Sequence, residues 1–184
     1  RLVVDTGVRM VYPFIPQLSE GLSLTIMGFS WLIFIRAISG VTGPLFGILA
    51  DRYGRRKIMG LGLICQGVGV VGLALSWQWW AILPMIMHGL TIAAFIPAAQ
   101  AYISDQTSFD KRGRALGAVE LSWAVAGIIS LPIVGWLIEL WGWRAPLFAL
   151  GLVSLVGAAI IWFRLPAADH RAQAALSRAE IWQV

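Results

Sequence analysis

Six long apolar segments alternate with short polar ones along the chain. A helix rises 1.5 Å per residue, so about 20 apolar residues cross a hydrocarbon core roughly 30 Å thick. The pattern therefore predicts six transmembrane helices at residues 2–18, 24–50, 58–76, 80–104, 115–138 and 145–165. Strands of a membrane barrel would be about 10 residues long with alternating polarity, whereas these segments are longer and more uniform. We expect an all-α membrane protein.

Composition excludes most other classes of protein. Of the 184 residues, 59% are apolar and 12% are charged, whereas soluble domains average about 45–50% and about 25%. The single cysteine, Cys65, rules out a disulfide framework within the chain. The net charge of +5 comes from basic clusters between apolar segments, which indicates contact with membrane lipid rather than nucleic acid. No metal-binding motif such as H-E-x-x-H occurs, and no cofactor is expected.

Basic residues are distributed unequally between the two ends of the predicted helices. The loops after helices two and four, with the segment after helix six, hold ten of them: Arg52, Arg55, Arg56, Lys57, Lys111, Arg112, Arg114, Arg164, Arg171 and Arg178. The opposite loops hold only Arg144. Cytoplasmic loops carry such an excess, so the basic loops are predicted to face the cytoplasm of a cell (inner) membrane. Tryptophans at the opposite ends are predicted to be interfacial anchors: Trp77, Trp79, Trp80, Trp136, Trp141 and Trp143.

An internal repeat relates the ends of helices two and five. Seven positions match in kind at a constant offset of 88 residues, from Pro44 to Arg56 and from Pro132 to Arg144. The shared residues are Pro, Gly, Leu, an acid, an aromatic residue, Gly and Arg. Helices two and five are three spans apart, so the pattern leaves the membrane on opposite faces. This predicts two inverted three-helix repeats, an arrangement found in secondary transporters.

The first copy of the repeat also carries a family resemblance. Residues 47–57, G-I-L-A-D-R-Y-G-R-R-K, resemble the G-x-L-a-D-r-x-G-r-r signature between helices two and three of the major facilitator superfamily. The segments Tyr12–Pro16, Ser104–Asp105 and Gly142–Arg144 are also similar to such carriers. The resemblance implies the N-terminal half of a twelve-helix transporter. Because both chain ends read as truncations, residues 166–184 are predicted to be a cytoplasmic linker toward a second six-helix half.

The resemblance implies a gate at the cytoplasmic face. Its predicted residues are Gly47, Asp51, Arg52, Gly54, Arg55, Arg56 and Asp105. Asp51 would meet a helix terminus of the second half, and Arg55 would pair with Asp105, so that the carrier is latched shut while it faces outward. The alternative is a solvated basic loop that only sets topology.

Ionisable and polar residues within the apolar segments are candidates for a transport path. A charge at the bilayer centre costs about 2.5–3.5 kcal/mol, so such groups usually face a cavity or a partner. The candidates are Asp5, Arg9, Tyr12, Arg36, His88, Gln100 and Glu120, with Trp123 as a further lining residue. Two interpretations stay open for Asp5 and Arg9, which are one helical turn apart: mutual neutralisation or a role in transport. Glu120 could snorkel to water or bind a proton, and His88 could serve packing or proton relay.

Glycines predict close helix packing, and one of their patterns bears on transport direction. Gly43 and Gly47 form a small-xxx-small step, and helix three carries five more glycines. In helix five, Gly127 and Pro132 only partly resemble the Gly-Pro pattern of proton-linked antiporters, because Leu131 replaces the glycine expected before the proline. The direction of antiport is therefore left open.

The function implied by the resemblance is proton-coupled efflux of a small molecule by alternating access, as in drug-efflux carriers. The alternative within transport is uptake of a nutrient or organic anion, which Arg9 and Arg36 would suit. A receptor or sensor that binds without transporting is the alternative from a different class. An enzyme is not expected, because Ser39-Gly40 lacks a G-x-S-G context and a second intramembrane histidine.

Overall fold

The computed structural model describes residues 1–165, where every regular element is a helix. The helices are α1 (Leu2–Met10), α2 (Ile15–Gly21), α3 (Ile26–Gly40), α4 (Gly43–Tyr53), α5 (Arg55–Leu75), α6 (Ile82–Gln106), α7 (Phe109–Val125), α8 (Leu131–Trp141) and α9 (Arg144–Arg164). A 3₁₀ turn, Gln78–Ala81, precedes α6, and a π-helical segment, Ala126–Ser130, joins α7 to α8. The all-α prediction is confirmed. The predicted linker at 166–184, with Arg171 and Arg178, lies outside the described residues.

Four segments are long and apolar enough to cross a membrane. They are Arg55–Leu75, Gln78–Gln106, Phe109–Trp141 and Arg144–Arg164, which correspond to the last four predicted helices. A fifth is obtained if Ile15–Gly21 and Ile26–Gly40 count as one broken span, although they are bent by 103° at their break. The total of six spans stays a prediction.

The first two predicted helices are each divided in the structure. The segment 2–18 is interrupted between α1 and α2 at Tyr12-Pro13, because a proline disfavours helical backbone at the residue before it. The segment 24–50 is interrupted at residues 41–42, just before Gly43-Pro44. Both α2 and α4 then carry a proline in the first turn, where its missing N–H has no helical partner to lose. Apolar patterning continues across both breaks and therefore does not reveal them.

The 88-residue repeat is present in the backbone. Helices α4 and α8 each have 11 residues, begin one residue before a proline and end at a glycine with positive φ, Gly54 (96°) or Gly142 (81°). The Gly54 N–H donates to the Ala50 carbonyl at 2.9 Å, and the Gly142 N–H to the Ile138 carbonyl at 2.8 Å. Gly54 joins α4 to α5 and Gly142 joins α8 to α9, and α5 and α9 run antiparallel because the start of each lies against the end of the other. The two copies of the repeat therefore run in opposite directions.

Glycines bring α5 close to both of its main neighbours, α6 and α9. A Cβ atom at Gly62 would lie 3.0 Å from Phe95 Cβ, and one at Gly67 would lie 3.1 Å from the Gly151 carbonyl oxygen. Small residues permit this approach in a membrane, where helices associate through close backbone packing. The predicted packing role holds for these α5 glycines. It does not hold for Gly47 of α4, which has no neighbour within 4 Å of its Cβ position among residues 1–165.

Candidate transport path and gating cluster

The sharp turn between α4 and α5 places Arg55 against the end of α6. Gly54 has a positive φ and is the single residue between the end of α4 and the start of α5. The Arg55 guanidinium then donates to the Asp105 carboxylate and, at 2.5 Å, to the Ala101 carbonyl. It also lies 3.5 Å from the Asp51 carboxylate, which is 72% exposed. The predicted pairing of Arg55 with Asp105 is therefore present, and Arg55 joins the ends of α4 and α6. The role of this cluster as a gate stays a prediction.

The remaining signature residues lie around this cluster without joining it. Arg52 is exposed, and its guanidinium lies 5.5 Å from the Tyr53 ring centre. Among residues 1–165, no neighbouring side chain or helix comes within 4 Å of the Cβ position of Gly47 on α4. Arg56 points toward α9 and donates to the Leu165 carbonyl at 2.7 Å.

Arg144 occupies the position equivalent to Arg56 in the second repeat and makes the reciprocal contact. Its Nε donates to the Ala74 carbonyl at 2.9 Å, near the end of α5. Thus α5 and α9, of 21 residues each, both carry in their first turn an arginine, Arg56 or Arg144, that caps the end of the other helix. The last carbonyls of a helix lack partners and carry partial negative charge, so a guanidinium is favourable there. The repeat in the sequence identifies Arg56 and Arg144 as equivalent positions, but it does not indicate which carbonyl groups they contact.

A charged network links α1, α6 and α7, and Arg1 lies at its centre. Arg1 donates to both carboxylate oxygens of Glu120, at 2.6 and 2.8 Å, and to Asp5 at 3.3 Å. Gln100 donates to Glu120 at 2.9 Å, and Ser122 donates to Asp5 at 2.5 Å. We call these five residues the Arg1 network. It brings together three predicted path residues, Asp5, Gln100 and Glu120, through two that were not predicted.

Asp5 does not pair with Arg9, although the two are one turn apart. The Asp5 side chain is fully buried and is bonded to Arg1 instead. One of its oxygens, Oδ1, has no hydrogen-bond partner among the described residues. The interpretation of Asp5 and Arg9 as a mutually neutralised pair is therefore wrong. Arg1 precedes the predicted first helix, so the apolar pattern did not identify it as a candidate for the transport path.

Arg9 contacts α7 just before the π-helical segment. It donates to the Trp123 carbonyl at 2.5 Å, and its guanidinium lies 4.5 Å from the Trp123 ring centre. A Cβ atom at Gly127 would lie 2.6 Å from Arg9 Nη1, so the absence of a side chain at this position makes room for the guanidinium. Arg9 is thus held by a carbonyl dipole and an aromatic face.

Arg36 is on α3, and its side chain contacts the end of α1 and the residues just after it. It is 4% exposed and donates to the Tyr12 hydroxyl at 3.0 Å and to the Val8 carbonyl at 3.5 Å. Tyr12 itself is 56% exposed. Neither Arg9 nor Arg36 makes an ion pair within residues 1–165.

His88 is separate from the Arg1 network. It is 3% exposed, and its Nε2 has no hydrogen-bond partner in the described part of the chain. This nitrogen lies 3.3 Å from the Cβ position of Gly7, next to the fully buried amide of Gln66. His88 of α6 and Gln66 of α5 therefore both face Gly7 of α1. Gln66 is not among the predicted path residues, because it is an isolated amide in a glycine-rich apolar segment.

Comparison with known proteins identifies the family of this bundle. Residues 1–182 match the family model described as Major Facilitator Superfamily. The chain belongs to this superfamily. Members similar to this chain are named as efflux pumps and transporters, and the apolar helices of the chain indicate a multi-pass membrane protein.

Several curated members of the superfamily are similar to this chain. "Multi-drug resistance efflux pump PmrA" of Streptococcus pneumoniae (strain ATCC BAA-334 / TIGR4) is 32% identical over 163 residues, which cover 85% of this chain and 40% of that protein. "Multidrug resistance protein 2" of Bacillus subtilis (strain 168) is 29% identical over 85% of this chain and 39% of its own length. "Putative niacin/nicotinamide transporter NiaP" of the same organism is 31% identical over 67% and 32%. The chain thus spans at most about two fifths of these relatives.

Proposed function

We propose that the full-length protein is a proton-coupled secondary transporter that exports a small molecule by alternating access. The observation that carries this proposal is the Arg1 network. Two carboxylates, Asp5 and Glu120, share one guanidinium within the helical bundle. With both carboxylates ionised, the side chains of the network carry one net negative charge. The Asp5 side chain is fully buried and its Oδ1 has no hydrogen-bond partner among residues 1–165, so uptake of one proton is favourable at Asp5.

Protonation of this network would change how α1 is held against α7. Arg1, just before α1, is bonded to Glu120 of α7 through two short hydrogen bonds. Neutralising Asp5 weakens the charge-assisted hydrogen bonds that its carboxylate accepts from Arg1 and from Ser122 of α7. Proton binding is thereby coupled to the separation of two helices, which is the kind of step that alternating access requires.

The cluster of Asp51, Arg55 and Asp105 is proposed as the cytoplasmic latch. It joins the ends of α4 and α6, at the face where most of the basic loop residues lie. We propose that this face is cytoplasmic and that a second six-helix half completes the latch through the exposed carboxylate of Asp51. Closing and opening the latch would alternate with exposure of the substrate site.

The direction of transport is proposed from the relatives. Proteins named as multidrug efflux pumps or as a bacillibactin exporter are among those similar to this chain, at 27–32% identity. Export of a small amphipathic compound is therefore the function that the comparisons favour.

The test uses the full-length protein in proteoliposomes with an imposed pH gradient and ethidium as the transported probe. We expect gradient-driven ethidium flux in the wild type and its loss in Asp5→Asn and Glu120→Gln. Glu20→Gln, which removes an exposed carboxylate outside the network, serves as the matched control and should transport normally. Ethidium flux that is independent of the gradient, or unchanged in both network variants, would rule out the proposed coupling.

Two alternatives have separate signatures in the same experiments. Uptake of a nutrient or organic anion is favoured by Arg9 and Arg36, which have no ion pair within residues 1–165, and by the similarity to the putative niacin/nicotinamide transporter. It predicts inward flux in right-side-out vesicles. A receptor or sensor predicts saturable ligand binding with no flux in either orientation.

A further inference from the structure

An apolar groove lies between α1, α8 and α9 and shares no residue with the Arg1 network. It encloses about 190 Å³. Among the described residues that line it, none is charged, and only Thr6 and Ser130 carry a hydroxyl. The Thr6 hydroxyl already donates to the Leu2 carbonyl at 2.8 Å. The lining therefore offers contacts to a hydrocarbon and no partner for a charged group.

The groove is elongated along the helix axes. The residues that line it from α8 and the end of the π-helical segment are spaced by three, four and seven positions: Ser130, Ile133, Val134 and Leu137. Those from α9 repeat this spacing: Pro146, Ala149, Leu150 and Val153. Such spacing follows one face of a helix, and seven residues rise about 10 Å. The groove therefore follows the two helices for about two turns, in the direction in which they span the membrane.

The depth of the groove is that of lipid acyl chains. Pro146 and Val153 are the third and the tenth residues of α9, so they lie about 3 and about 14 Å from its start. The hydrocarbon core is roughly 30 Å thick, and α9 is long and apolar enough to cross it. The groove thus lies in the half of the core at the Arg144 end of α9, where the medium around the protein consists of acyl chains.

The groove is closed at its floor and open along its rim. Val134 is 4% exposed and Pro146 is buried, whereas Ile133 and Val153 are 51% and 50% exposed. A chain that enters from the rim contacts three helices, whereas a chain against a single convex helix contacts one. Association within a membrane is driven by van der Waals contact, so the groove should hold a chain more firmly than the rest of the surface does.

We propose that this groove binds one acyl chain of a membrane phospholipid, and we call it the acyl groove. Its α1 wall consists of Leu2, Val3 and Thr6, which belong to the same two turns of α1 as Asp5. The bound chain packs α1 against α8 and α9, while Asp5 connects α1 to α7 through Ser122. Lipid binding here goes beyond the proposed transport, because it depends neither on the transported compound nor on a proton.

The test uses the full-length protein in dioleoylphosphatidylcholine vesicles that contain a small fraction of phosphatidylcholine with a diazirine in one acyl chain. Light releases dinitrogen and leaves a carbene, which inserts into a neighbouring C–H bond, and tandem mass spectrometry locates the adducts. Exposed apolar residues of α9 outside the groove are the reference: Leu152, Val156 and Ile160. We expect about fivefold more adducts at the lining residues, a preference that corresponds to about 1 kcal/mol.

Variants that fill the groove then locate the chain. Ala149→Phe and Val153→Phe each place a ring at the exposed rim and should reduce the adducts at the lining residues to the level of the reference. Ala159→Phe makes the same change at an exposed alanine of α9 outside the groove and is the matched control. Gel filtration and the melting temperature show which variants are folded, and either filling variant is sufficient for the comparison.

Several results would overturn the proposal. Equal labelling of the lining and reference residues would mean that lipid only solvates this surface. Labelling of the reference alone would mean that another part of the protein covers the groove. Loss of the adducts in saturating ethidium would assign the groove to the transported compound. Enrichment that persists in a folded filling variant would place the bound chain elsewhere.

Discussion

At Gly89 of α6, the backbone of α3 leaves no room for a side chain. A Cβ atom there would lie 2.3 Å from the Arg36 carbonyl oxygen and 2.0 Å from Ser39 Oγ. The Ser39 hydroxyl can rotate away, whereas a movement of the Arg36 carbonyl would require a shift of the α3 backbone. A single glycine of α6 therefore sets how closely α6 approaches the part of α3 that carries the buried Arg36.

Gly89→Ala is therefore expected to destabilise the bundle by about 1–3 kcal/mol, the usual range for overpacking a close contact. The measurement is the apparent melting temperature of the purified protein in detergent. Gly157→Ala is the control, because its Cβ would lie 3.4 Å from the flexible end of Leu63 and alanine favours a helix. A variant Gly89→Ala as stable as wild type would show that α3 and α6 are further apart than described.

At the scale of the element, α5 and α9 form an antiparallel pair capped at both ends. Arg56 donates to the Leu165 carbonyl, and Arg144 donates to the Ala74 carbonyl. Between these ends, Gly67 and Gly151 lie close to each other's carbonyl oxygens, with Cβ positions at 3.1 and 3.2 Å. The pair therefore combines close backbone packing with a charge-assisted bond at each end, and it should behave as a rigid unit.

Removal of one cap tests this arrangement. Arg144→Ala should cost about 1 kcal/mol, because it removes a guanidinium from the partially negative end of α5. Arg164→Ala, an exposed arginine of the same helix, should have little effect on thermal stability. The ends of a 21-residue helix are about 30 Å apart, so the losses in Arg56→Ala and Arg144→Ala should add in the double variant. Strong non-additivity would argue against two independent caps.

At the scale of the whole molecule, Arg55 ties together helices that are distant in sequence. Its contacts with Asp51, Asp105 and Ala101 hold the ends of α4 and α6 at one face. If this cluster is the latch, its strength sets how easily that face opens. A solvated loop that only determines topology would not be sensitive to the neutralisation of Asp105.

Asp105→Asn should reduce ethidium flux about tenfold, since it removes the charge from the acceptor of a charge-assisted hydrogen bond. The charge-reversed double variant, Arg55→Asp with Asp105→Arg, should recover part of the flux, and the difference measures the coupling between the two residues. Asp110→Asn, at an exposed carboxylate of α7, provides the comparison. Normal flux in Asp105→Asn, with unchanged protein levels, would favour the topological interpretation.

Orientation is tested by labelling single cysteines in a cysteine-free variant of the full-length protein. Lys57 and Glu139 are exposed. Lys57 directly follows Arg56, and Glu139 precedes Arg144 by five residues, near the end of α8. A membrane-impermeant maleimide added to intact cells should label Glu139→Cys and should label Lys57→Cys only after the membrane is opened. Labelling of both positions from the same side would contradict the inverted repeat and the positive-inside assignment.

Properties that depend on local chemistry can be predicted from the amino-acid sequence. Apolar segment length gave the helical class and the last four spans, and the Pro44–Arg56 and Pro132–Arg144 repeat gave the paired helices with their glycine ends. The pairing of Arg55 with Asp105 followed from the family resemblance, because that contact accompanies a local motif. The helical class and the repeat can be predicted because each is encoded in a run of neighbouring residues, whereas Arg55 and Asp105 are 50 positions apart and their pairing came from the resemblance alone.

The tertiary structure alone decided the partners of the charged side chains. Arg1 and Glu120 are 119 positions apart, Arg9 and Trp123 are 114 apart, and Arg56 and Leu165 are 109 apart. Asp5 has a cation one turn away in Arg9 yet bonds to Arg1 and Ser122. Which groups meet depends on the rotation and crossing of packed helices, which a spacing along one helix does not specify. The sequence therefore showed which charges must find partners in the membrane, and the packing of the helices selected them.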